Sequence, residues 1–293
     1  MTIGTVADHR SREGGAIIYP VYSRRSGGLS VGVNLFPDRK LCSFDCPYCE
    51  VFPFETDIAF NPETMKAALN SAILEAKKNG ITVQDICFSG NGEPSMSPFF
   101  TEAVTEAAAI RTNLVPEAKL VLITNGSGLL NPALFEFLKS ASLSPANLHI
   151  WLKLDAATEA WYQYINRSGI PHKELLSRIR DFAASFAPFT VQTMLCTVNG
   201  VLPPPEEDSA WVQLVTELAV LSAPKTSRSG VEANGAAERQ VNLRAVQIYG
   251  KARPAFEDPL TKAATAAVLE ERATLLRQVL EKTGTTVPVK VYE

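Results

Sequence analysis

Positions 41–50 of the sequence read Leu41-Cys42-Ser43-Phe44-Asp45-Cys46-Pro47-Tyr48-Cys49-Glu50. Three of the five cysteines fall in this stretch, with three residues between the first two and two residues between the last two. Such clustering within an odd total favours metal ligation over a framework of disulfides. Three thiolates on one short loop can occupy three corners of a four-iron, four-sulfur cluster and leave the fourth iron open to another ligand. We therefore predict that Cys42, Cys46 and Cys49 hold such a cluster.

The main alternative for the same cysteines is a structural zinc site. Zinc takes four ligands in a closed tetrahedral shell, usually delivered as two pairs. The two remaining cysteines, Cys87 and Cys196, stand alone in apolar runs, and none of the three histidines lies near another candidate ligand in the sequence. The ligand count therefore favours the cluster. A zinc-stabilised binding module without catalytic activity is the alternative that metal analysis would test.

The composition is that of an ordinary globular protein. The chain has 293 residues, of which 46% are hydrophobic and 20% are charged, and its formal net charge is -3. This charge gives no global argument for a nucleic-acid partner or an anionic membrane. No stretch approaches the roughly 18 uninterrupted apolar residues of a membrane span, and the polar residues 1–15 lack the apolar run of a secretory signal. The sequence therefore predicts a cytoplasmic protein without a membrane partner.

Strand-like runs alternate with helix-like stretches along the whole chain. The strand-like runs cover residues 29–36, 83–88, 120–124, 148–154, 189–198 and 243–249, and a last one covers 287–292. The helix-like stretches cover residues 62–78, 99–112, 132–140, 172–186, 206–221 and 258–282. Six strand-then-helix units predict an α/β fold with a mostly parallel sheet and helical crossovers. Periodicity alone fits both a barrel and an open, doubly wound sheet.

Three parts of the chain are predicted from this pattern. Residues 1–17 form an N-terminal extension, and residues 18–257 form the core domain. Within the core domain, residues 224–239 are rich in Ser, Gly, Ala and charge without apolar periodicity, which is typical of a flexible loop. Residues 258–293 form a C-terminal helix and strand that pack on the core.

The cysteine spacing, with an aromatic residue at Tyr48 just before the last ligand, resembles the signature of the radical S-adenosylmethionine (SAM) superfamily. The turn Gly90-Asn91-Gly92-Glu93-Pro94 after the second strand is similar to the glycine-rich turn of that superfamily. The resemblance implies a partial (β/α)6 parallel barrel with the site at the carboxyl ends of the strands, in agreement with the general rule for α/β barrels. It also implies an enzyme whose 4Fe-4S cluster cleaves SAM reductively to a 5′-deoxyadenosyl radical that modifies a substrate.

The same resemblance implies a set of cofactor-binding residues. Glu93 and the turn at Gly92 orient the methionine part of SAM, and Tyr48 packs near the adenine. Asn125 ends the third strand on the side of the cofactor. Lys153 and Asp155 alternate with apolar neighbours and share one face of the fourth strand, near the carboxylate or ribose of SAM. A buried ion pair is the structural alternative for these two residues.

Within the superfamily, the chain resembles the wyosine-synthase-like group that modifies a tRNA base. The likeness rests on residues 23–25, 29–35, 89–94 and 249–254 and spans about residues 18–257. Wyosine synthases carry a second cluster on upstream cysteines, whereas this chain has no cysteine before Cys42. We therefore do not predict the wyosine-synthase substrate for this chain. The resemblance implies an electron donor such as flavodoxin or ferredoxin, and it leaves a small molecule, a peptide and RNA open as substrates. Further polar candidates are Arg24, Arg25, Gln192, Gln247, Lys251 and Arg253.

Overall fold

The computed structural model describes residues 15–223, 241–257 and 260–293. In these ranges nine strands form one sheet, whose main path runs in the order β1-β2-β3-β4-β5-β6-β7-β9, while β8 pairs with β6. The strands are β1 Ile18–Ser23, β2 Gly28–Val33, β3 Val83–Phe88, β4 Lys119–Thr124, β5 Leu148–Lys153, β6 Phe189–Val198, β7 Leu243–Gly250, β8 Thr261–Ala263 and β9 Val289–Tyr292.

The strands from β2 to β7 pair in parallel with their neighbours, and the sheet curls into a half barrel. The predicted partial parallel barrel is therefore confirmed. β1 is an additional antiparallel edge strand, which pairs Ile18 with Val33 and Ser23 with Gly28. The sequence analysis did not identify this strand. Pro20 lies in its middle, and a proline is tolerated there because an edge strand does not need every amide for pairing.

The described ranges contain seven α-helices. They are α1 Pro62–Lys78, α2 Phe100–Leu114, α3 Pro132–Leu143, α4 Glu159–Ile165, α5 His172–Ala184, α6 Pro205–Leu221 and α7 Ala266–Lys282. All helices but α4 correspond to the six predicted helix-like stretches. Local signals explain their ends. Asn61, for example, accepts a hydrogen bond from the Thr64 amide at the start of α1, where Pro62 occupies the first turn. In that part of the chain, none of the helices is long and apolar enough to cross a membrane.

The helix predicted to start at residue 258 starts later, so that prediction is wrong at its amino end. α7 begins at Ala266, after Thr265, whose side chain accepts a hydrogen bond from the Val268 amide. Residues before it form β8, which pairs antiparallel with the end of β6. After α7, β9 joins the sheet in parallel beside β7. The predicted loop at 224–239 and most of the N-terminal extension lie outside the described residues.

The two faces of the sheet have different surroundings. On the convex face, strand residues such as Val31, Phe88 and Leu122 are fully buried in one large core with helix residues such as Leu69 and Phe182. Residues of the opposite, concave face form a second small apolar cluster of Cys87, Val121 and Trp151. The side chains alternate between the faces because the strand period is two residues. The concave face is therefore left for the polar groups described below.

A buried carboxylate on α6 fixes the loop that follows β5. Glu207 is fully buried, and its oxygens accept hydrogen bonds from the amides of Ala157 and Thr158 at 2.6 and 2.9 Å and from the Thr158 hydroxyl at 2.5 Å. On the same helix, Trp211 donates its indole N–H to the carbonyl of Leu154 at 3.0 Å. These bonds hold the backbone on both sides of Asp155, the residue predicted to bind the cofactor.

We expect the substitution Glu207→Ala to lower the free energy of unfolding by about 2–4 kcal/mol, because it leaves two amides and a hydroxyl without their acceptor. Urea denaturation of the purified protein measures this loss. The neighbouring Glu206 is exposed in the first turn of the same helix. Glu206→Ala should therefore cost less than about 1 kcal/mol. Equal losses in the two variants would contradict the role assigned to Glu207.

Candidate active site

The three cysteines lie on the long loop that connects β2 to α1, at the carboxyl end of β2. All three are partly buried and none is in a disulfide. The loop is bonded to segments that follow other strands. Ser43 donates its hydroxyl to Ser127, beyond β4, at 3.0 Å, and the Asp45 amide donates to the carbonyl of Asn166, beyond β5, at 3.0 Å. The fold therefore places the cysteines where the strand ends meet.

Backbone hydrogen bonds also join the loop to the turn after β3. The Leu41 amide donates to the carbonyl of Asn91 at 3.0 Å, and the Glu93 amide donates to the carbonyl of Leu41 at 2.9 Å. Between these bonds lies Gly92, where a Cβ atom would stand 1.7 Å from the Leu41 oxygen. Only glycine fits this approach. Because Gly92 has no side chain, the cysteine loop can pack against this turn. The sequence analysis had predicted that Gly92 contacts the cofactor, and that role stays a prediction.

Glu93 links the cysteine loop to the end of β4. Its side chain is buried, and Oε1 accepts hydrogen bonds from the amide and hydroxyl of Ser95 and from the Thr124 hydroxyl. Oε2 accepts one bond, from the Asn125 amide at 2.7 Å. Burial raises the pKa of Glu93, while these four donors act in the opposite direction. A carboxylate has about four acceptor positions, two on each oxygen, so Oε2 keeps one for a further donor.

Two asparagine side chains donate to the cysteine sulfurs. The amide of Asn125 lies 3.6 Å from Cys42 Sγ and 3.0 Å from the Ser43 hydroxyl. The amide of Asn166, just beyond α4, lies 3.4 Å from Cys46 Sγ. The sequence analysis predicted Asn125 and missed Asn166. The sequence around Asn166 does not indicate this role. Asn166 follows the end of α4, and its burial is seen only in the structure.

Lys153, Asp155 and Tyr48 form one hydrogen-bonded group. Lys153 Nζ lies 2.8 Å from Asp155 Oδ1 and 2.6 Å from the hydroxyl of Tyr249. The Tyr48 hydroxyl donates to Asp155 Oδ2, which also accepts from Asn166 at 3.2 Å. Lys153 is the last residue of β5 and Asp155 lies two residues beyond it, and their side chains meet as the buried ion pair that was the structural alternative. Their role in cofactor binding stays a prediction. Burial, followed by the charge of Asp155, raises the pKa of Tyr48 and keeps its hydroxyl protonated.

Two thiols of the loop are hard to ionise. Burial raises the pKa of Cys42 to about 12, with a further contribution from the charge of Glu93. Burial also raises the pKa of Cys46 to about 12, with a further contribution from Asp155. Cys49 adds a smaller like-charge contribution to both. A bound metal reverses this preference, because a coordinating thiol is deprotonated by the positive charge of the metal.

The donor set of the loop fits an iron–sulfur cluster. Among the described residues, no three His, Cys, Asp or Glu side chains stand close enough to hold one metal ion. A cubane cluster binds each of its thiolate ligands to a different iron. Three thiols, two of them with amide N–H donors, supply the ligands and the hydrogen bonds that such clusters take in proteins.

A cavity of about 120 Å3 opens beside this group, on the concave face of the sheet. It is lined by Arg24, Arg25, Glu50, Cys87, Trp151, Met194, Tyr249 and Arg253, among others. Arg253 forms an ion pair with Glu50 at 2.6 Å, and Arg25 donates to Gln192 at 2.9 Å, which in turn donates to Gln247 at 2.6 Å. Lys251 instead donates to the carbonyl of Thr261 at 2.9 Å.

We expect Gly92→Ala to lower the free energy of unfolding by about 1–3 kcal/mol, because the added methyl group forces the Leu41 carbonyl out of its place. Urea denaturation measures the change. Gly169 is the matched control, since a Cβ there meets no atom within 4 Å and its φ is not positive. Gly169→Ala should leave the free energy of unfolding within about 0.5 kcal/mol of the wild-type value. A tolerated Gly92→Ala would contradict the packing described here.

Comparison with known sequences finds relatives of low identity. No protein-family profile matches the chain. A UPF0026 protein of Helicobacter pylori strain 26695 is 23% identical over 252 residues, which cover 85% of this chain and 71% of that protein. The UPF0026 protein MJ1312 of Methanocaldococcus jannaschii is 28% identical over 162 residues, 54% of this chain and 44% of that protein. The chain thus spans less than half of the length of the archaeal relative.

Comparison with solved structures finds the same curled sheet. Streptococcus suis SuiB bound to its precursor peptide SuiA superposes with a TM-score of 0.60 at 12% identity, over 92% of this chain and 51% of SuiB. SuiB bound to S-adenosylmethionine gives a TM-score of 0.57 at 10% identity, over 86% of this chain and 48% of SuiB. A spore photoproduct lyase with a bound dinucleoside spore photoproduct gives 0.54 at 11% identity, over all of this chain and 82% of the lyase.

TYW1 also aligns, with TM-scores of 0.48 and 0.46, and these values are too low to support an argument about the wyosine-synthase-like group. SuiB and the spore photoproduct lyase are radical SAM proteins, and the partial barrel is the part of the fold that this chain shares with them. The chain is therefore similar in sequence to the UPF0026 proteins and shares the partial-barrel fold of SuiB and the spore photoproduct lyase, in agreement with the predicted resemblance to the radical SAM superfamily.

Proposed function

We propose that this chain is a radical SAM enzyme that binds one 4Fe-4S cluster through Cys42, Cys46 and Cys49. The observation that carries the proposal is the position of the cysteine loop at the carboxyl end of the half barrel, with amide donors on the sulfurs of Cys42 and Cys46. Active sites of α/β barrels lie at that end of the strands. When bound and reduced, the cluster supplies the electron that cleaves SAM to methionine and a 5′-deoxyadenosyl radical.

The residues around the loop are suited to hold SAM. The free acceptor position on Glu93 Oε2 can receive a hydrogen bond from the SAM ammonium group. Burial acts to lower the pKa of Lys153, but the charges and hydrogen bonds of Asp155 and Tyr249 together raise it, so Lys153 carries a positive charge. It is therefore available to a carboxylate or to ribose oxygens. Tyr48 is held by its bond to Asp155 and presents its ring beside the loop. These roles in cofactor binding are proposals.

We extend the proposal to the partner that supplies electrons. Cys42 lines an open cavity together with Arg39, Lys40, Phe54 and Glu55, so the cluster would lie near the surface on this side. A flavodoxin or ferredoxin that docks there would transfer its electron over a short distance. The free thiols of the described chain fit a reducing compartment such as the cytoplasm. The product of the reaction depends on the substrate, for which the sequence leaves a small molecule, a peptide or RNA open.

The cysteine ligands are tested by substitution under anaerobic conditions. After reconstitution with iron and sulfide, the wild-type protein should contain about four irons per chain, and after reduction it should release 5′-deoxyadenosine from SAM. Serine in place of Cys42, Cys46 or Cys49 should abolish this release and lower the iron content, because a hydroxyl is a poor ligand for cluster iron. Iron analysis and chromatography of the nucleoside measure both outcomes.

Cys196 provides the matched control for these variants. It is buried in β6 and lies outside the cysteine loop. Cys196→Ser should therefore retain the iron and the release of 5′-deoxyadenosine. Anaerobically purified protein that contains one zinc and no iron, and does not bind SAM, would contradict the proposal and favour the zinc-stabilised binding module.

The hydrogen bond from Asn166 to Cys46 predicts a change in reduction potential. An N–H donor stabilises the more negative, reduced cluster, so Asn166→Ala should make the potential more negative by on the order of 20–60 mV. A redox titration followed by electron paramagnetic resonance measures the potential. Asn70 on α1, whose amide bonds to a carbonyl of its own helix, is the control. A potential unchanged in Asn166→Ala would show that this bond does not act on the cluster.

A further inference from the structure

The cavity beside the cysteine loop has an excess of positive charge. Among the described residues that line it, the charged ones are Arg24, Arg25, Arg253 and Glu50. The only carboxylate, Glu50, is engaged by Arg253 at 2.6 Å, with both side chains largely buried. Two arginines therefore have no carboxylate partner in the lining. Guanidinium groups in such a position bind carboxylates or phosphates through paired hydrogen bonds.

Arg24 is the arginine with free hydrogen-bonding capacity. Within the described ranges its side chain makes no ion pair and no hydrogen bond, although it is partly buried. Burial lowers the pKa of Arg24, the like charges of Arg25 and Arg253 lower it further, and the charge of Glu50 has a smaller opposite effect. An anion in the cavity would accept hydrogen bonds from the Arg24 guanidinium, and its charge would reduce the repulsion among the three arginines.

Arg25 is held in place by other groups. Its guanidinium donates to Gln192 Oε1 at 2.9 Å, and its central carbon lies 4.6 Å from the centroid of the Tyr249 ring and 5.8 Å from that of Trp151. The Tyr249 hydroxyl in turn accepts from Lys153. Through Tyr249, Arg25 therefore connects the cavity to Lys153 of the predicted cofactor site. Its hydrogen bond to Gln192 holds its positive charge in place in the cavity.

The concave face continues to be basic on the far side of Arg25. A second cavity of about 410 Å3 is lined by Arg25, Lys119, Arg244 and Lys290, and no aspartate or glutamate is among its described lining residues. Burial lowers the pKa of the adjacent His149 to about 4, with further contributions from Lys119, Arg111 and Arg244. The lining of both cavities is thus mainly basic in spite of the net charge of -3 of the whole chain, with the buried Asp85 close to Arg25 and Lys119.

We propose that the cavity beside the cysteine loop binds the substrate, a small molecule with a carboxylate or phosphate group that Arg24 receives. The apolar part of the molecule packs against Trp151 and Met194, and the fixed charge of Arg25 orients the anionic end. The cavity of about 120 Å3 has room for a small anionic group. This inference rests on the proposed function for the identity of the bound molecule as substrate, whereas the anion site itself is independent of it.

The anion site is tested on the reconstituted enzyme with SAM present. The probes are inorganic phosphate and acetate, compared with chloride at the same ionic strength, and the unfolding midpoint at increasing anion concentration yields an apparent dissociation constant. At least one of the two probes should stabilise the wild-type enzyme beyond the effect of chloride. The preferred probe identifies the anion as phosphate or carboxylate.

Three variants complete the experiment. Arg24→Met should weaken the binding of the preferred probe by about 10- to 100-fold, because it removes the charged donor. Arg24→Lys keeps the charge but loses the paired hydrogen bonds, so it should bind with intermediate affinity. Arg180 lies in an exposed ion pair with Glu217 on the helical side, and Arg180→Ala should bind as the wild type does.

Two outcomes would overturn the inference. The first is a wild-type enzyme that neither probe stabilises beyond chloride, and the second is an Arg24→Met variant that binds the probe as tightly as the wild type. Salt-sensitive tRNA binding that persists in Arg24→Met would point to RNA instead. The release of 5′-deoxyadenosine, measured on the same wild-type preparation, separates the two proposals: anion binding without this release supports the site and contradicts the proposed function.

Discussion

The site depends on one backbone contact, the bridge between Leu41 and the turn at Gly92. Two hydrogen bonds join the cysteine loop to the end of β3 there, and the carbonyl of Leu41 occupies the space that any side chain at position 92 would need. The next residue after Leu41 is Cys42, and the next after Gly92 is Glu93. The bridge therefore determines the distance between the first thiol and the buried carboxylate. A long loop gains a defined position from a contact that involves no side chain.

Further hydrogen bonds hold the cysteine loop to the ends of the other strands. Glu93 accepts from the end of β4, Asn125 donates back to Cys42, and Asn166 joins Cys46 to Asp155. Glu207 holds the segment after Asp155 from the helical side. Buried polar groups of this kind are stable only when all partners are present, because each unpaired group costs about 1–3 kcal/mol. The arrangement is therefore cooperative, and its parts come from elements distant in sequence.

Much of the fold could be predicted from the sequence, because it rests on local periodicity. β3 and α1 have the predicted bounds, and the thiol spacing is visible within eight residues. The shared side of Lys153 and Asp155 follows from the two-residue period of a strand. Contacts over long separations were not predictable. Asn166 meets Cys46 across 120 residues, and nothing near Gly92 in the sequence indicates that Leu41 packs against it. The edge strand β1 was missed because Pro20 interrupts its pattern.

Arg25 has a consequence for the mechanics of the half barrel. It lies in the turn between β1 and β2, near one margin of the sheet, and its guanidinium contacts Trp151 of β5, Gln192 of β6 and Tyr249 of β7. The side chain thus crosses the concave side of the curled sheet and joins the β1–β2 turn to three strands. Any widening of the half barrel has to break the bond to Gln192 and separate the guanidinium from the two rings. The width of the half barrel is therefore limited by these contacts and by the Arg253–Glu50 ion pair, as well as by the pairing of the strands.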